Sequence, residues 1–224
     1  MIASRDSVRD LADFALVSLP DTGRAAALAA PPDTGQRPSP RDTGDTVRTN
    51  GAIVRVSGKW VVMVAVHLIC CGDARMWREY RRQLGAAMIR DRARAALAHT
   101  TDPRADAAIV AGDMNLVSGR EALDTLLGIA NESDAGRLGR MRRADAMQDD
   151  AWTDWTWDGR GTPFNGGRLD NVLYSSGSLA AVRARVVDTE VMSPDTLRTY
   201  HLASETSRSI NRHRPVVVDF RFIP

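Results

Sequence analysis

The alternation of apolar and polar positions predicts strands and helices in turn along the chain. The runs "GAIVRV" and "WVVMVAVHL" flank Ser57-Gly58-Lys59, a pattern typical of two strands joined by a tight turn. Residues 108–111 are continuously apolar, which predicts a strand that is buried on both faces and that ends at Gly112. The stretches "GGRLDNVLYSSG" and "NRHRPVVVDFRF" each predict one further strand.

Two helices are predicted from residue spacing. Apolar side chains recur at three- and four-residue intervals in residues 74–99, namely Trp77, Tyr80, Leu84, Ala87 and Met88. The arginines between them have two interpretations, a nucleic-acid surface or simply the solvated face of the helix. In "SGREALDTLLG", Ser118 and Glu121 have the spacing of a capping box, and Gly128 is placed to end the helix.

Residues 21–50 follow neither pattern. They are rich in Pro, Gly, Asp and Thr, which predicts a mobile loop. The triplet Asp-Thr-Gly, known from aspartic proteases, occurs three times in this segment. Its flanking Pro, Arg and Gln residues favour a disordered segment over a protease site, which needs apolar strands around the triplet.

Composition sets broad limits. The 224 residues are 43% hydrophobic and 26% charged, which predicts a single domain over residues 1–224 and no membrane span. The formal net charge is +2, so attraction for phosphates has to come from local groups. Cys70 and Cys71 are adjacent, without metal-ligand spacing, and are predicted to be buried thiols with no mutual disulfide. No signal segment opens the chain, which favours the cytoplasm as the chain stands.

Polar residues stand at one end of four separate predicted strands. His67 follows one strand, Asp113 and Asn115 follow the next, and Asp170 and His213 introduce the last two. Asp113 and Asn115 project to the same side of an extended chain, at the carboxyl end where open α/β sheets place their ligands. Each residue also has a purely structural explanation, as a turn residue or a satisfied histidine. Their repetition at four strand ends favours one shared site.

Four motifs, in this order, carry a family resemblance. "VAVHL", "AGDMN", "GRLDNVLYS" and "RHRPVVVDF" resemble the closing motifs of the endonuclease/exonuclease/phosphatase superfamily, and the resemblance covers residues 51–222. It implies an α/β (α+β) four-layer sandwich, with two mixed β-sheets packed face to face and helices outside. It also implies hydrolysis of a phosphoester by a water molecule with a divalent metal, Mg²⁺ or Mn²⁺.

The resemblance leaves the substrate open among nucleic acid, a phospholipid headgroup and a small phosphate ester. The alternative is a catalytically impaired family member that binds phosphate-bearing ligands, or a fragment that only keeps the fold. Metal-independent binding without turnover is the behaviour expected of that alternative.

The resemblance also implies roles for the polar strand ends. Asp113 orients or deprotonates the attacking water, while Asn115 holds that water, the phosphate or the metal, so both are candidate metal ligands. Asp170 pairs with His213 at hydrogen-bonding distance and leaves it able to donate to a phosphoryl oxygen. His67 binds phosphate or protonates the leaving oxygen.

Arg168 and Arg212 are the candidate phosphate ligands. Arg212 stands where the family has an Asp. Pointing inward it would weaken metal binding, whereas it can also point outward or grip phosphate as a bidentate fork. The tryptophans of "AWTDWTW" are predicted to pack in the core rather than to stack substrate at a rim.

Residues 1–20 resemble a segment downstream of the first strands of the family, which carry an Asn and a metal-binding Glu. We therefore expect the domain to lack those strands and upstream coding sequence to supply them. With such an upstream part, secretion is as open as a cytoplasmic location.

Overall fold

The structure, a computed structural model, describes residues 2, 4–31, 46–98, 104–130 and 138–224. The strands within these residues are β1 (Val8–Asp10), β2 (Val17–Ser18), β3 (Thr46–Val56), β4 (Lys59–His67), β5 (Ala107–Asp113), β6 (Met141–Arg143), β7 (Asp170–Ser175), β8 (Leu179–Val186) and β9 (Val216–Phe222). The helices there are α1 (Asp21–Ala29), α2 (Trp77–Ala98), α3 (Glu121–Leu127), α4 (Pro194–Tyr200) and α5 (Thr206–Ile210). None of these helices is both long and apolar enough to cross a bilayer.

Seven of the described strands form one mixed sheet. Its order is β1-β3-β4-β5-β7-β6, and β2 pairs with the opposite end of β3. The predicted hairpin of β3 and β4 is confirmed, with positive φ at Ser57 and Gly58 in its turn. Strands β4 and β5 are parallel, which requires a crossover, and the predicted helix α2 provides it.

Each face of the large sheet is covered by a different layer. On one face, Val64, Val110 and Leu173 pack in a core with Ile89 of α2. On the other face β7 packs against the antiparallel pair β8–β9, where the rings of Tyr174 and Phe220 lie 5.2 Å apart. Because strand side chains alternate in direction, residues two apart on β4, β5 and β7 face the same layer.

The predicted four-layer sandwich is present in part. Two sheets do pack face to face, with α2 and α3 outside the larger one. The second sheet, however, consists of β8 and β9 in the described residues and is antiparallel, not mixed. Helices α4 and α5 bury no residue, so they do not form a packed outer layer over it.

The prediction of a loop over residues 21–50 is wrong at both ends of that range. Residues Asp21–Ala29 form α1, residues 46–50 belong to β3, and residues 32–45 lie outside the described part. Alanine-rich α1 has high intrinsic helix propensity. It also packs against α2, since a Cβ on Gly23 would come within 2.7 Å of Leu84. Composition averaged over the whole segment hid a short helix that depends on this tertiary contact.

The start of α3 differs from the prediction. Arg120 takes the N-cap position without a side-chain capping bond, so Ser118 and Glu121 form no capping box. The Ser118 hydroxyl hydrogen-bonds to the buried Glu79 of α2 instead. The predicted end of the helix at Gly128 is confirmed.

The prediction for the cysteines is wrong. Cys70 and Cys71 are joined by a disulfide, and Cys70 is exposed. Neighbouring side chains of an extended chain point in opposite directions. Cys71 has a φ of 70°, so the chain leaves the extended conformation at the point where the two sulfurs meet.

Candidate active site

Four polar side chains form one row across four strands of the large sheet. The strand register pairs Arg48 with His67, His67 with Asp113, and Asp113 with Asp170. Directly paired residues of neighbouring strands share a face and lie about 5 Å apart. Tyr174, four residues after Asp170 on β7, packs against β9. The row, which we call the cross-strand row, therefore lies on the face turned toward the second sheet.

Gly112 allows β5 to carry Asp113 into this row. Its φ is 140°, and an added Cβ would lie 2.0 Å from the carbonyl oxygen of Val66 on β4. A side chain is therefore excluded where the two strands approach. The strand continues through Gly112 to Asp113, which corrects the prediction that the glycine ends it.

His213 completes the cluster from the segment before β9. Its Nδ1 lies 2.7 Å from Asp170 Oδ2, so the pair predicted from the sequence is present. Because an ionised carboxylate only accepts hydrogen bonds, Nδ1 is the donor. This hydrogen bond raises the pKa of His213 above its ordinary value, although partial burial opposes the rise.

Asp113 lies between two imidazoles. Its Oδ2 is 3.8 Å from Nε2 of His67 and 4.0 Å from Nε2 of His213. Burial, and then the neighbouring carboxylate of Asp170, raise the pKa of Asp113 above its ordinary value. A carboxylate with raised proton affinity is a stronger base near neutral pH, which suits the activation of a water molecule.

Asn115 holds Asp113 in place. Its backbone N–H donates to Asp113 Oδ1 over 2.9 Å, and its side-chain nitrogen donates to Asp113 Oδ2 and to the carbonyl of Leu68, each over 2.8 Å. Asn115 is only 2% exposed and has a φ of 48°, a conformation that Asn tolerates better than most residues. Its direct contact with water, phosphate or metal stays a prediction.

Two carboxylates of the row, Asp113 and Asp170, are candidate metal ligands. Within the described ranges, no group of three or more His, Cys, Asp or Glu side chains is arranged to hold a metal ion. Asp113 and Asp170 are adjacent in the row. Mg²⁺ is usually bound by one or two carboxylates together with waters and substrate phosphate. These residues therefore fit a metal shared with a phosphoryl group, and not one held by protein ligands alone.

The two arginines predicted to bind phosphate donate to backbone carbonyls. Arg168 is nearly buried and donates to Ala144 and Ala146 over 2.6 and 2.9 Å. Arg212 is exposed, and its guanidinium donates to the carbonyl of Arg160 over 2.6 Å. These contacts give no support to a phosphate role for either arginine.

Sequence reasoning missed Arg48. It is exposed beside His67, and its guanidinium has no hydrogen-bond or ion-pair partner in the part of the chain that the structure describes. The predicted hairpin turn at Ser57-Gly58 could have identified it. Arg48 and His67 lie the same number of residues from this turn on the two strands, so the hairpin register places them opposite each other.

The tryptophans of residues 151–157 do not share one environment. Trp152 is 89% exposed and Trp155 is half-exposed, so the prediction of core packing is wrong for both. Trp157 is partly buried and packs its ring edge against His213, with ring centroids 4.9 Å apart. The indole of Trp157 thus packs directly beside the imidazole of His213.

A network of ion pairs holds the segment that carries His213. The buried Arg214 donates to Asp188 over 2.8 Å and reaches Asp158 and Glu190 at 3.2 Å each. Arg160 pairs with the same Asp158 and Glu190. The residue after His213 is therefore fixed to two different loops.

Two cavities flank the cross-strand row. One, of about 520 Å³, borders Asp170 and His213, and its lining also includes the apolar side chains of Val172 and Ile210. The other, of about 430 Å³, borders Arg48 and His67. Space for ligand is therefore present at both ends of the row.

The chain belongs to the endonuclease/exonuclease/phosphatase family, whose model matches residues 16–201. This confirms the resemblance found in the four motifs. Members of the family are metal-dependent phosphoesterases. No curated protein sequence matches the chain significantly.

Solved structures of this family are similar to the chain at low identity. One is an endonuclease/exonuclease/phosphatase from Bacteroides vulgatus, with 16% identity, a TM-score of 0.45, and coverage of 78% of this chain and 54% of that one. A mannosyl-6-phosphatase from Bacteroides thetaiotaomicron has 16% identity, a TM-score of 0.46, and coverage of 78% and 56%. The catalytic domain of human Nocturnin has 16% identity, a TM-score of 0.46, and coverage of 96% and 60%. The chain thus spans little more than half the length of these structures.

Proposed function

We propose that this protein hydrolyses phosphoesters, most favourably diesters, at the cross-strand row. The observation that carries the proposal is the convergence of Asp113, His67 and the Asp170–His213 pair on one face, with Asp113 Oδ2 about 4 Å from both imidazoles. A carboxylate base beside two imidazoles offers a proton acceptor and two donors within reach of one phosphorus atom.

Asp113 is the base in this proposal. Its pKa is raised above the ordinary value, which makes the carboxylate a stronger base toward water, and the two hydrogen bonds from Asn115 fix it. The water attacks phosphorus, and the bond to the leaving oxygen breaks. His67, which is half-exposed at the rim, protonates that oxygen or binds the phosphate.

His213 stabilises the charge that develops on the phosphoryl group. Its pKa is raised by the hydrogen bond to Asp170, so its protonated form persists to higher pH and can donate from Nε2. A donor already aimed at the developing charge contributes more than one that must reorient during the reaction.

Arg48 binds the phosphate at the other end of the row. A guanidinium without a protein partner in the described residues is available for two parallel hydrogen bonds to phosphoryl oxygens. The cavities at the two ends of the row leave room for a group on each side of the phosphorus, which favours a diester. Nucleic acid, phospholipid headgroup and small-ester substrates share this chemistry.

A divalent metal, Mg²⁺ or Mn²⁺, would be held by Asp113. Asp170 is paired with Asp113 in the row, and Asn115 is hydrogen-bonded to Asp113. When bound, the metal would supply Lewis-acid stabilisation of the phosphoryl oxygens.

The test is a panel of hydrolysis assays with Mg²⁺ and with Mn²⁺. The substrates are bis(4-nitrophenyl) phosphate, 4-nitrophenyl phosphate, single- and double-stranded DNA, a phosphocholine diester and a sugar phosphate. We expect turnover of at least one diester, lost by about a hundredfold or more in His213→Asn. Arg48→Gln is expected to lower kcat/KM by about tenfold or more, since it removes a charge-assisted hydrogen bond.

His201→Asn is the matched control, because His201 is exposed at the end of α4 with a φ of 54° that Asn also tolerates. It is expected to retain wild-type rates. Binding of inorganic phosphate without hydrolysis of any substrate would instead support the catalytically impaired alternative. Equal loss of activity in both histidine variants would contradict the assigned role of His213.

A further inference from the structure

The two members of the Asp170–His213 pair come from segments far apart in the sequence, and a third segment lies between them. Residues 156–158 hydrogen-bond on one side to the chain leading into β7 and on the other side to the chain leading into β9. Trp157 forms β-bridges to Gly167 and to His213. This short extended segment therefore joins the two halves of the pair.

Thr156 contacts both halves directly. Its Oγ1 accepts hydrogen bonds from the backbone N–H of Asp170 over 2.8 Å and of Leu169 over 3.0 Å. Its carbonyl oxygen accepts from the backbone N–H of Arg214, the residue after His213, over 2.7 Å. One residue thus sets the backbone position of Asp170 and of the chain beside His213.

Thr156 is fully buried, so water cannot replace its hydroxyl as the acceptor. Deleting this hydroxyl leaves two buried backbone N–H groups without their partner, and such groups move to find another. Asp170 would shift with its backbone. Its hydrogen bond to His213 is short and directional, so a small shift is enough to weaken it.

We infer that Thr156 is the positioning residue of the Asp170–His213 pair. The role rests on the proposed function, because its effect on rate requires that this pair takes part in hydrolysis. Its effect on the geometry of the pair does not require any activity, and this separates the two claims experimentally.

The variants are Thr156→Val, which keeps the shape and removes the hydroxyl, Thr156→Ala, which removes it without crowding, and Thr156→Ser, which keeps it. Ser175→Ala is the matched control. Ser175 is buried at the other end of β7, and its hydroxyl also accepts a backbone N–H, that of Ala108, over 2.9 Å. It does not contact Asp170 or His213.

The first readout is the downfield proton resonance of His213 Nδ1–H in the NMR spectrum, which reports the hydrogen bond to Asp170. We expect this resonance to disappear or move strongly upfield in Thr156→Val and Thr156→Ala. It should persist in Thr156→Ser and in Ser175→Ala. Retention in both hydroxyl-deletion variants, or equal loss in Ser175→Ala, would overturn the inference.

The second readout is steady-state hydrolysis. In the two hydroxyl-deletion variants, kcat should fall by about tenfold or more while KM changes by about twofold or less, since misplacement of a reacting group affects turnover more than binding. Thr156→Ser should restore most of kcat. If the resonance is lost but kcat is unchanged, Thr156 does position the Asp170–His213 pair. That result would contradict the proposed use of the pair in catalysis.

Discussion

Among single residues, Gly112 makes the most specific prediction about stability. Gly112→Ala adds a Cβ at a φ of 140° and at 2.0 Å from a backbone oxygen that cannot move aside. We expect it to lower the free energy of unfolding by about 3 kcal/mol, measured by urea denaturation, and to abolish hydrolysis by moving Asp113.

The variant Gly58→Ala separates the cost of a positive φ from the cost of a steric clash at Cβ. Gly58 also has a positive φ, of 80°, but an added Cβ there meets no atom within 4 Å. Its cost should be about 1 kcal/mol, the backbone contribution alone. Equal losses in the two variants would show that the close approach of β4 and β5 is not what requires glycine at position 112.

The candidate site shows what residue identity alone can predict. His67, Asp113 and His213 were found because each is a polar residue at the end of an apolar run, and this is visible in the sequence. Arg48 and Thr156 were missed because their importance lies in strand register and in a hydroxyl that accepts backbone N–H groups. Arg168 and Arg212 were assigned by charge, yet their guanidinium groups satisfy backbone carbonyls.

Between elements, a buried ion pair links α2 to the two loops that follow β4 and β5. Arg82 and Glu79 are both buried and paired on α2. Arg82 also donates to the carbonyl of Cys71 over 2.5 Å and to the hydroxyl of Ser118 over 3.1 Å. These loops continue from the strands that carry His67 and Asp113, so the pair fixes their relative position.

Arg82→Ala tests this link, since it leaves the carboxylate of Glu79 buried without its cation. We expect a loss of about 3–5 kcal/mol of unfolding free energy, measured by urea denaturation. Arg120→Ala is the control, because its ion pair with Asp124 on α3 is exposed to water and is expected to contribute little to the free energy of unfolding. Losses of similar size in the two variants would contradict a structural role for the buried pair.

Elements were predicted well where periodicity is strong and poorly where tertiary contacts decide. The β3–β4 hairpin, α2 and β5 follow from apolar spacing and turn residues alone. Helix α1 was hidden because Asp, Thr and Gly in its first turn look like a loop, while its packing on α2 is a tertiary feature. The disulfide of Cys70 and Cys71 accompanies a positive φ at Cys71, which the sequence pattern does not predict.

For the whole molecule, the ion pairs around Arg214 predict acid sensitivity. The side chain of Arg160, by hydrogen bonding, holds the pKa of Asp158 well below its usual range. A carboxyl group whose folded pKa is depressed contributes stability that is complete above its unfolded pKa of about 4 and is lost as the pH falls below it. The second sheet and the segment of His213 should therefore loosen in acid.

Asp158→Asn is expected to lower stability at neutral pH and to flatten the decline of unfolding free energy below about pH 4. Urea denaturation at a series of pH values measures this. Asp195→Asn, in the exposed pair with Arg198, is the control for loss of one negative charge. A wild-type slope below pH 4 in Asp158→Asn would show that other carboxylates govern the acid transition.

The proposed hydrolysis depends on Asp113 as the base that activates water for attack on phosphorus. The most direct measurement is hydrolysis of bis(4-nitrophenyl) phosphate with Mg²⁺ or Mn²⁺ in ¹⁸O-labelled water, comparing the wild type with Asp113→Asn. We expect one ¹⁸O atom in the phosphoryl product of the wild type and a rate lower by about a hundredfold or more in the variant. Asp113→Asn protein that is folded and hydrolyses the diester at the wild-type rate would contradict this role of Asp113.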